Sequence, residues 1–205
     1  MEKEITLNKI LEFILDVEKE YLSFHEDVKI SLNIHKLRTN KIYTNESLNG
    51  EFNKELQYYL DKIDDFEFRV LEISSKYISE DFKVNMRKKS PDSIMSKIIR
   101  NSKDHIMVSR VLNDLFGVRC IVTDVDSFIE KLELKCKERD YRFLPKNNPS
   151  EDYRAHHIYI KGKDNFVFHI EVQIWDVKNE KMNLESHKKY KIGYVKAPFV
   201  YKGGE

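Results

Sequence analysis

At Phe82 the apolar period of the chain changes. Upstream, Ile5, Leu7, Ile10, Leu11, Phe13, Ile14, Val17 and Tyr21 recur at close to the helical repeat, and Phe52, Leu56, Tyr59, Leu60, Ile63, Phe66, Val70, Leu71 and Ile73 do the same. That spacing gathers apolar side chains on one side of a helix, and it predicts helices over residues 5–24 and about 52–77. The intervening residues 31–51 are rich in Asn, Ser and Thr and contain Asn49-Gly50, which reads as a loop or irregular connection. From Phe82 onward the period is two: Phe82, Val84 and Met86 alternate with Lys83, Asn85 and Arg87, as in a strand with one apolar and one polar face. Further strands are predicted at Gly117–Thr123, Tyr153–Ile160 and Phe166–Trp175, the last two joined through Gly162–Asn165 as a hairpin, with helices near 107–115, 125–138 and 178–191. Two long helices followed by strands mixed with helices argue for an α+β fold with a central mixed β-sheet flanked by helices.

At 205 residues the chain suits one packed unit with a helical appendage. Thirty-six Lys and Arg balance 35 Asp and Glu, so attraction for a polyanion has to come from local clusters. Cys120 and Cys136 lack metal-ligand spacing, which argues against a structural zinc or a disulfide framework. The acidic, amphipathic N-terminus is unlike a signal peptide and no apolar run reaches membrane-spanning length, so a cytoplasmic protein without membrane contact is expected.

Four stretches carry chemistry. In Arg87-Lys-Lys-Ser-Pro-Asp-Ser-Ile-Met-Ser-Lys-Ile-Ile-Arg100 a strand leads into a helix that Ser90 caps and Pro91 begins. Arg87 and Lys89 share a strand face, and Ser93, Lys97 and Arg100 share a helix face. The helix N-terminus between them offers unpaired N–H donors to an anion. A solvated cationic face has the same composition, and this stretch alone leaves both readings open. In Asp114-Leu-Phe-Gly-Val-Arg119 an acid precedes a glycine and an arginine opens an apolar strand. In Phe166-Val-Phe-His-Ile-Glu-Val-Gln-Ile-Trp175 alternation sets His169, Glu171, Gln173 and Trp175 opposite the apolar face, and a mid-strand carboxylate needs a metal, a cation or a substrate. Asp114 and Glu171 together suit Mg²⁺, which takes few carboxylates and completes its shell with phosphate and water; an ion pair between Glu171 and Arg119 is the structural alternative. Lastly, an exposed Tyr153 beside Arg154 and His157 suits stacking on a base, or an ordinary edge strand.

In order, these pieces resemble the synthetase domain of the RelA/SpoT family, in particular its small alarmone synthetases. The family pattern R-x-K-S-x-x-S-I-x-x-K-x-x-R falls on Arg87, Lys89, Ser90, Ser93, Ile94, Lys97 and Arg100; D-x-x-G-x-R on Asp114, Gly117 and Arg119; and D-Y-x-x-x-P-K on Asp140, Tyr141, Pro145 and Lys146. Y-R-x-x-H falls on Tyr153, Arg154 and His157, E-x-Q-I on Glu171, Gln173 and Ile174, and H-x-x-Y-K on His187, Tyr190 and Lys191. The resemblance implies a nucleotidyltransferase-like synthetase fold with N-terminal helices, residues 51–205 forming the synthetase unit and 1–50 a helix and irregular connection. It implies transfer of the β,γ-diphosphate of ATP to the 3′-hydroxyl of an acceptor nucleotide, with AMP leaving. Arg87 and Arg119 would sandwich adenine, and Lys89, Ser93, Lys97 and Arg100 would hold the ATP phosphates. Asp114 would bind Mg²⁺, and Glu171 would place that ion or act as general base. Tyr153 would stack on the acceptor base, with Lys146, Arg154, His157 and Gln173 around the acceptor.

The family's usual Asn-Gly before this tyrosine is Glu151-Asp152 here, which makes the acceptor the open question. GDP or GTP, giving (p)ppGpp, is the expected acceptor. The alternatives implied by the family's toxic small synthetases are adenosine nucleotides or the 3′ end of tRNA, with an antitoxin protein as partner; a catalytically dead nucleotide-binding module is a further alternative. Fourteen residues follow Lys191, too few for the family's tetramerising helices, so a monomer or small oligomer is expected, and no His-Asp pair of the family's hydrolase precedes Arg87. A polymerase-like reading of Asp124-Val-Asp126 is weakened by its place after an apolar strand.

Overall fold

The computed structural model describes residues 2–44, 50–148, 152–162 and 164–195, and the side chains of 6–44, 50–145, 152–162 and 164–189. Twelve labelled elements run in the order α1 (Glu2–Asp27), α2 (Thr39–Thr44), α3 (Glu51–Ser75), β1 (Phe82–Lys88), α4 (Pro91–Asn101), α5 (Val108–Val111), β2 (Phe116–Val122), α6 (Ile129–Glu138), β3 (Arg142–Asn148), β4 (Tyr153–Ile160), β5 (Ile170–Asp176) and α7 (Glu180–Val195). The strands form one sheet in the order β1-β2-β5-β4-β3. The β2–β5 pair is parallel and the other three are antiparallel, so the sheet is mixed, as expected.

One face of the sheet carries the core. Phe82, Phe116, Val118, Cys120, Val122, Ile158, Ile160, Ile170, Val172 and Ile174 are buried in the same cluster as the apolar stripes of α1 and α3. Edge-to-face rings join the layers: Phe13 on Phe82, Phe66 on Phe116 and Tyr59 on Phe168. Such pairs favour one packing geometry over a merely greasy one. The 3.6-residue stripes are therefore read correctly as the helices that cover the sheet, except that Leu71 of the second stripe is exposed.

The structure departs from the sequence reading at several boundaries. β1 ends at Lys88, which leaves Lys89 just beyond the strand with its N–H on the Leu115 carbonyl. The Asn-rich connection contains the short helix α2, anchored by a Thr39 hydroxyl that donates to Asn101 O. The helix expected near 107–115 is a single turn, Val108–Val111. β3 was not expected: it has little alternation and contains Pro145, which is tolerable on an edge strand. β5 begins at Ile170 instead of Phe166. The hairpin reading of β4 and β5 holds, with a longer connection than Gly162–Asn165.

Between α1 and α3, His25 is 4% exposed. Its Nδ1 donates to the Tyr21 carbonyl at 2.8 Å, and its Nε2 meets the Tyr59 hydroxyl at 3.0 Å. The neutral ring thus satisfies both nitrogens, and burial lowers its pKa to about 4. A histidine depressed in the folded state gives stability that is complete above the unfolded value and lost as the pH falls. Urea denaturation is expected to show a loss of roughly 3 kcal/mol between pH 6.5 and pH 4 from this residue. His25→Phe should show a correspondingly flatter profile over that window; equal slopes for the two proteins would refute the assignment.

Candidate active site

The second face of the sheet carries polar side chains in register. One rung across it is Arg87, Gly117, Glu171 and Tyr159; the next is Asn85, Arg119, Gln173 and His157; a third contains Lys83, Ile121 and Trp175. Arg87, Asp114, Gly117, Arg119, Glu171 and Gln173 line one open cleft. Gly117 is the floor between Arg87 and Glu171: a Cβ there would stand 3.8 Å from Glu171 Oε2 and 3.9 Å from the Arg87 carbonyl.

Glu171 is the second residue of β5, nearer the strand start than the sequence reading had it, and is 5% exposed. Three donors converge on it: His157 Nδ1 at 2.7 Å and the Tyr159 hydroxyl at 2.9 Å, both to Oε1, and Gln173 Nε2 at 2.7 Å to Oε2. A carboxylate only accepts, so His157 carries its proton on Nδ1 toward Glu171. Burial alone would push this carboxyl up; His157, Gln173 and Tyr159 outweigh it and hold the pKa down to about 2. No ion pair with Arg119 forms: the Arg119 Nε donates to Gln173 Oε1 at 3.2 Å, and Gln173 bridges the two.

Asp114 follows α5 and leads into β2. Lys89 Nζ reaches its Oδ2 at 2.6 Å and Lys97 Nζ its Oδ1 at 3.0 Å. Lys97 comes from α4, whose start is the expected one: Ser90 is the N-cap, its hydroxyl accepts from Ser93 N–H, and Pro91 opens the helix. Burial raises the Asp114 carboxyl, but Lys97 and Lys89 together hold it below the ordinary value. Ser93 Oγ lies 2.9 Å from Ser90 Oγ. Arg100, on the last turn of α4, is exposed, and its Nε donates back to Ser96 O.

The acceptor-side residues are placed less uniformly. His157 is in the site through Glu171. Tyr153 is half-buried instead of exposed: its hydroxyl lies 3.0 Å from His157 Nε2, and its ring meets Trp175 and His187 at 82° and 81°. Arg154 is exposed, and the pleat sets it on the sheet face opposite Tyr153 and His157. Gln173 is 4% exposed and committed to Arg119 and Glu171. Lys146, in β3, pairs by its backbone with Ala155 of β4, while its side chain lies outside the described residues, as do Glu151 and the side chains of Tyr190 and Lys191. Asp152 has φ of 49°, a left-handed conformation in which an acid stands where the family pattern has glycine.

Two participants were missed from sequence. Tyr159 lies two residues beyond His157 on the same strand face, a signal the alternation contains but the motif does not. Trp175 is fully buried under Arg119, whose guanidinium carbon is 3.6 Å from the indole centroid. His187, from α7, stacks on the same indole at 5.6 Å and 15°, with its Nε2 3.4 Å from an Arg119 nitrogen. Burial, then Arg119 and Arg87, lower the His187 pKa to about 4. Asp126, the acid of the polymerase-like reading, instead pairs with Lys178 at 2.6 Å on the surface.

Among the described residues no group of three or more His, Cys, Asp or Glu side chains stands ready to hold a metal ion, and no helix is long and apolar enough to cross a membrane. The chemistry of two carboxylates lining one cleft suits Mg²⁺, the remaining ligands being phosphate and water.

Comparison with known proteins places this geometry in context. No curated protein matches the chain. Solved structures to which the chain is similar include small alarmone synthetase 1 of Bacillus subtilis (19% identity, TM-score 0.46, 70% of this chain and 81% of that one) and small alarmone synthetase 2 of the same organism (23%, 0.46, 73% and 85%). A GTP pyrophosphokinase family protein of Streptococcus pneumoniae is similar at 21% identity, with a TM-score of 0.46 over 70% of this chain and 77% of that one. The model of the region found in RelA/SpoT proteins matches residues 86–194, more than half of the chain and the whole run from Arg87 to His187, so the chain belongs to the RelA/SpoT family.

Proposed function

We propose that the chain is an ATP-dependent pyrophosphokinase that moves the β,γ-diphosphate of ATP to the 3′-hydroxyl of GDP or GTP. Membership in the RelA/SpoT family supports pyrophosphate transfer in alarmone synthesis. The observation that carries the reading is that Asp114 and Glu171 line one cleft with Arg87 and Arg119, while Lys89 and Lys97 converge on Asp114. In this reading the 3′-oxygen attacks the β-phosphorus and gives up its hydroxyl proton to water, the bond from that phosphorus to the α-phosphate bridging oxygen breaks, and AMP leaves with that oxygen.

Arg87 and Arg119 flank the adenine, and Lys89, Lys97, Ser93 and Arg100 meet the phosphates. Asp114 and Glu171 would hold Mg²⁺, which when bound neutralises charge on the transferring group. Glu171, ionised down to a pH of about 2, is a weak proton acceptor near neutrality, and so its contribution is a fixed negative charge more than general-base catalysis. His157, Tyr159 and Gln173 hold that charge in place.

A second acceptor class, the 3′ end of tRNA, is favoured by one observation: the loop before Tyr153 departs from the family pattern, with Asp152 in a left-handed conformation and the Tyr153 hydroxyl engaged by His157. An antitoxin partner would accompany that reading. The test incubates purified protein with labelled ATP and Mg²⁺, and in turn with GDP, GTP and uncharged tRNA. Label on GDP or GTP together with AMP supports the first reading, and label confined to tRNA the second. No transfer to any of the three would overturn both.

A further inference from the structure

The buried indole of Trp175 has no place in the proposed chemistry, yet two site residues rest on it. It is the only tryptophan in the chain and is fully buried at the end of β5. The Arg119 guanidinium lies over its ring at 3.6 Å, and Gln173 fixes the Nε of the same arginine at 3.2 Å. His187 stacks beside it, and the Tyr153 ring meets it edge-on at 6.0 Å. An arginine side chain that must present a flat cation to a planar base loses much rotamer freedom on binding. Here that loss is incurred during folding: the stack sets the plane, the hydrogen bond to Gln173 sets the rotation, and His187 closes the remaining side.

We propose that Trp175 is a positioning residue that holds the Arg119 guanidinium in the plane required to take the purine of ATP, with His187 of α7 completing the platform. The inference rests on the reading of Arg119 as a donor-site residue. It assigns no contact between Trp175 and the reacting phosphates, so its effect falls on ATP binding. The same indole reports on the stack directly, since a purine laid on the cation that covers the ring changes the ring's electrostatic surroundings and so its emission.

The experiment titrates wild-type protein with a non-hydrolysable ATP analogue, following Trp175 emission while equilibrium dialysis gives the Kd. A saturable emission change is expected with its midpoint at the dialysis Kd. Arg119→Lys, which keeps the charge but not the planar fork, should alter the unliganded emission and abolish the response. Trp175→Leu should raise the Kd and KM for ATP roughly tenfold while kcat stays within about threefold, and Trp175→Phe should recover most of the affinity. Should Trp175→Leu not fold, the emission of wild type and Arg119→Lys decides. If the analogue binds by dialysis with emission unchanged and Trp175→Leu binds as wild type does, the platform is overturned while the proposed function stands. If no analogue binds to wild type, both fall.

Discussion

Glu171→Gln is expected to lower pyrophosphate transfer on the order of 10³-fold while leaving ATP affinity within a few-fold of wild type. The substitution is isosteric, and the amide oxygen can still accept from His157 Nδ1 and the Tyr159 hydroxyl, the two donors that share Oε1. What is lost is the charge and the one hydrogen bond from Gln173 Nε2, which would face the new amide nitrogen. The carboxylate is held ionised to a pH of about 2 by three donors, an arrangement that builds negative charge into a buried strand. Burying an ion at that cost makes sense where a cation or a developing charge pairs with it in the working state. Steady-state transfer, paired with equilibrium dialysis of ATP and urea denaturation, measures the three consequences separately. Transfer surviving at near wild-type rate would remove Glu171 from the chemistry. Loss of folding in step with activity would recast it as structural.

How this site is legible in sequence depends on distance along the chain. The Arg87–Arg100 segment encodes its own geometry: Ser90 caps, Pro91 starts the helix, and Lys97 then follows from helical spacing. Alternation likewise places Glu171 and Gln173 on one face. Sequence leaves out register. That Gly117 sits between Arg87 and Glu171 is decided by strand order β1-β2-β5, in which β5 lies far along the chain from its neighbour. For the same reason Tyr159 and Trp175 look like ordinary strand aromatics until β4 and α7 are brought beside them. Arg154 illustrates the opposite error, since adjacency to Tyr153 in a motif places it on the other face of a pleated strand. β3 escaped because an edge strand with Pro145 has neither strong alternation nor a full set of donors.

Asp114→Asn tests the exchange of partners that the proposed function requires. Asp114 pairs with both Lys89 and Lys97, one of which, Lys89, is only 8% exposed. Phosphates entering the cleft compete for those ammonium groups, and a carboxylate released by them is free to face a divalent cation. Asparagine keeps the shape and one acceptor but removes the charge. Transfer should therefore fall by about 10²–10³-fold, and stability by roughly 1–3 kcal/mol because Lys89 stays buried without its full counter-charge. The distinguishing outcome is in ATP binding measured with EDTA present. There the two lysines no longer have to leave a carboxylate, so the variant should bind ATP several-fold more tightly than wild type. With Mg²⁺ the order should reverse, because the ligand that would hold the ion has gone. Equal weakening in both conditions would mean that Asp114 only organises the two lysines, and the metal-holding role would pass to Glu171 alone.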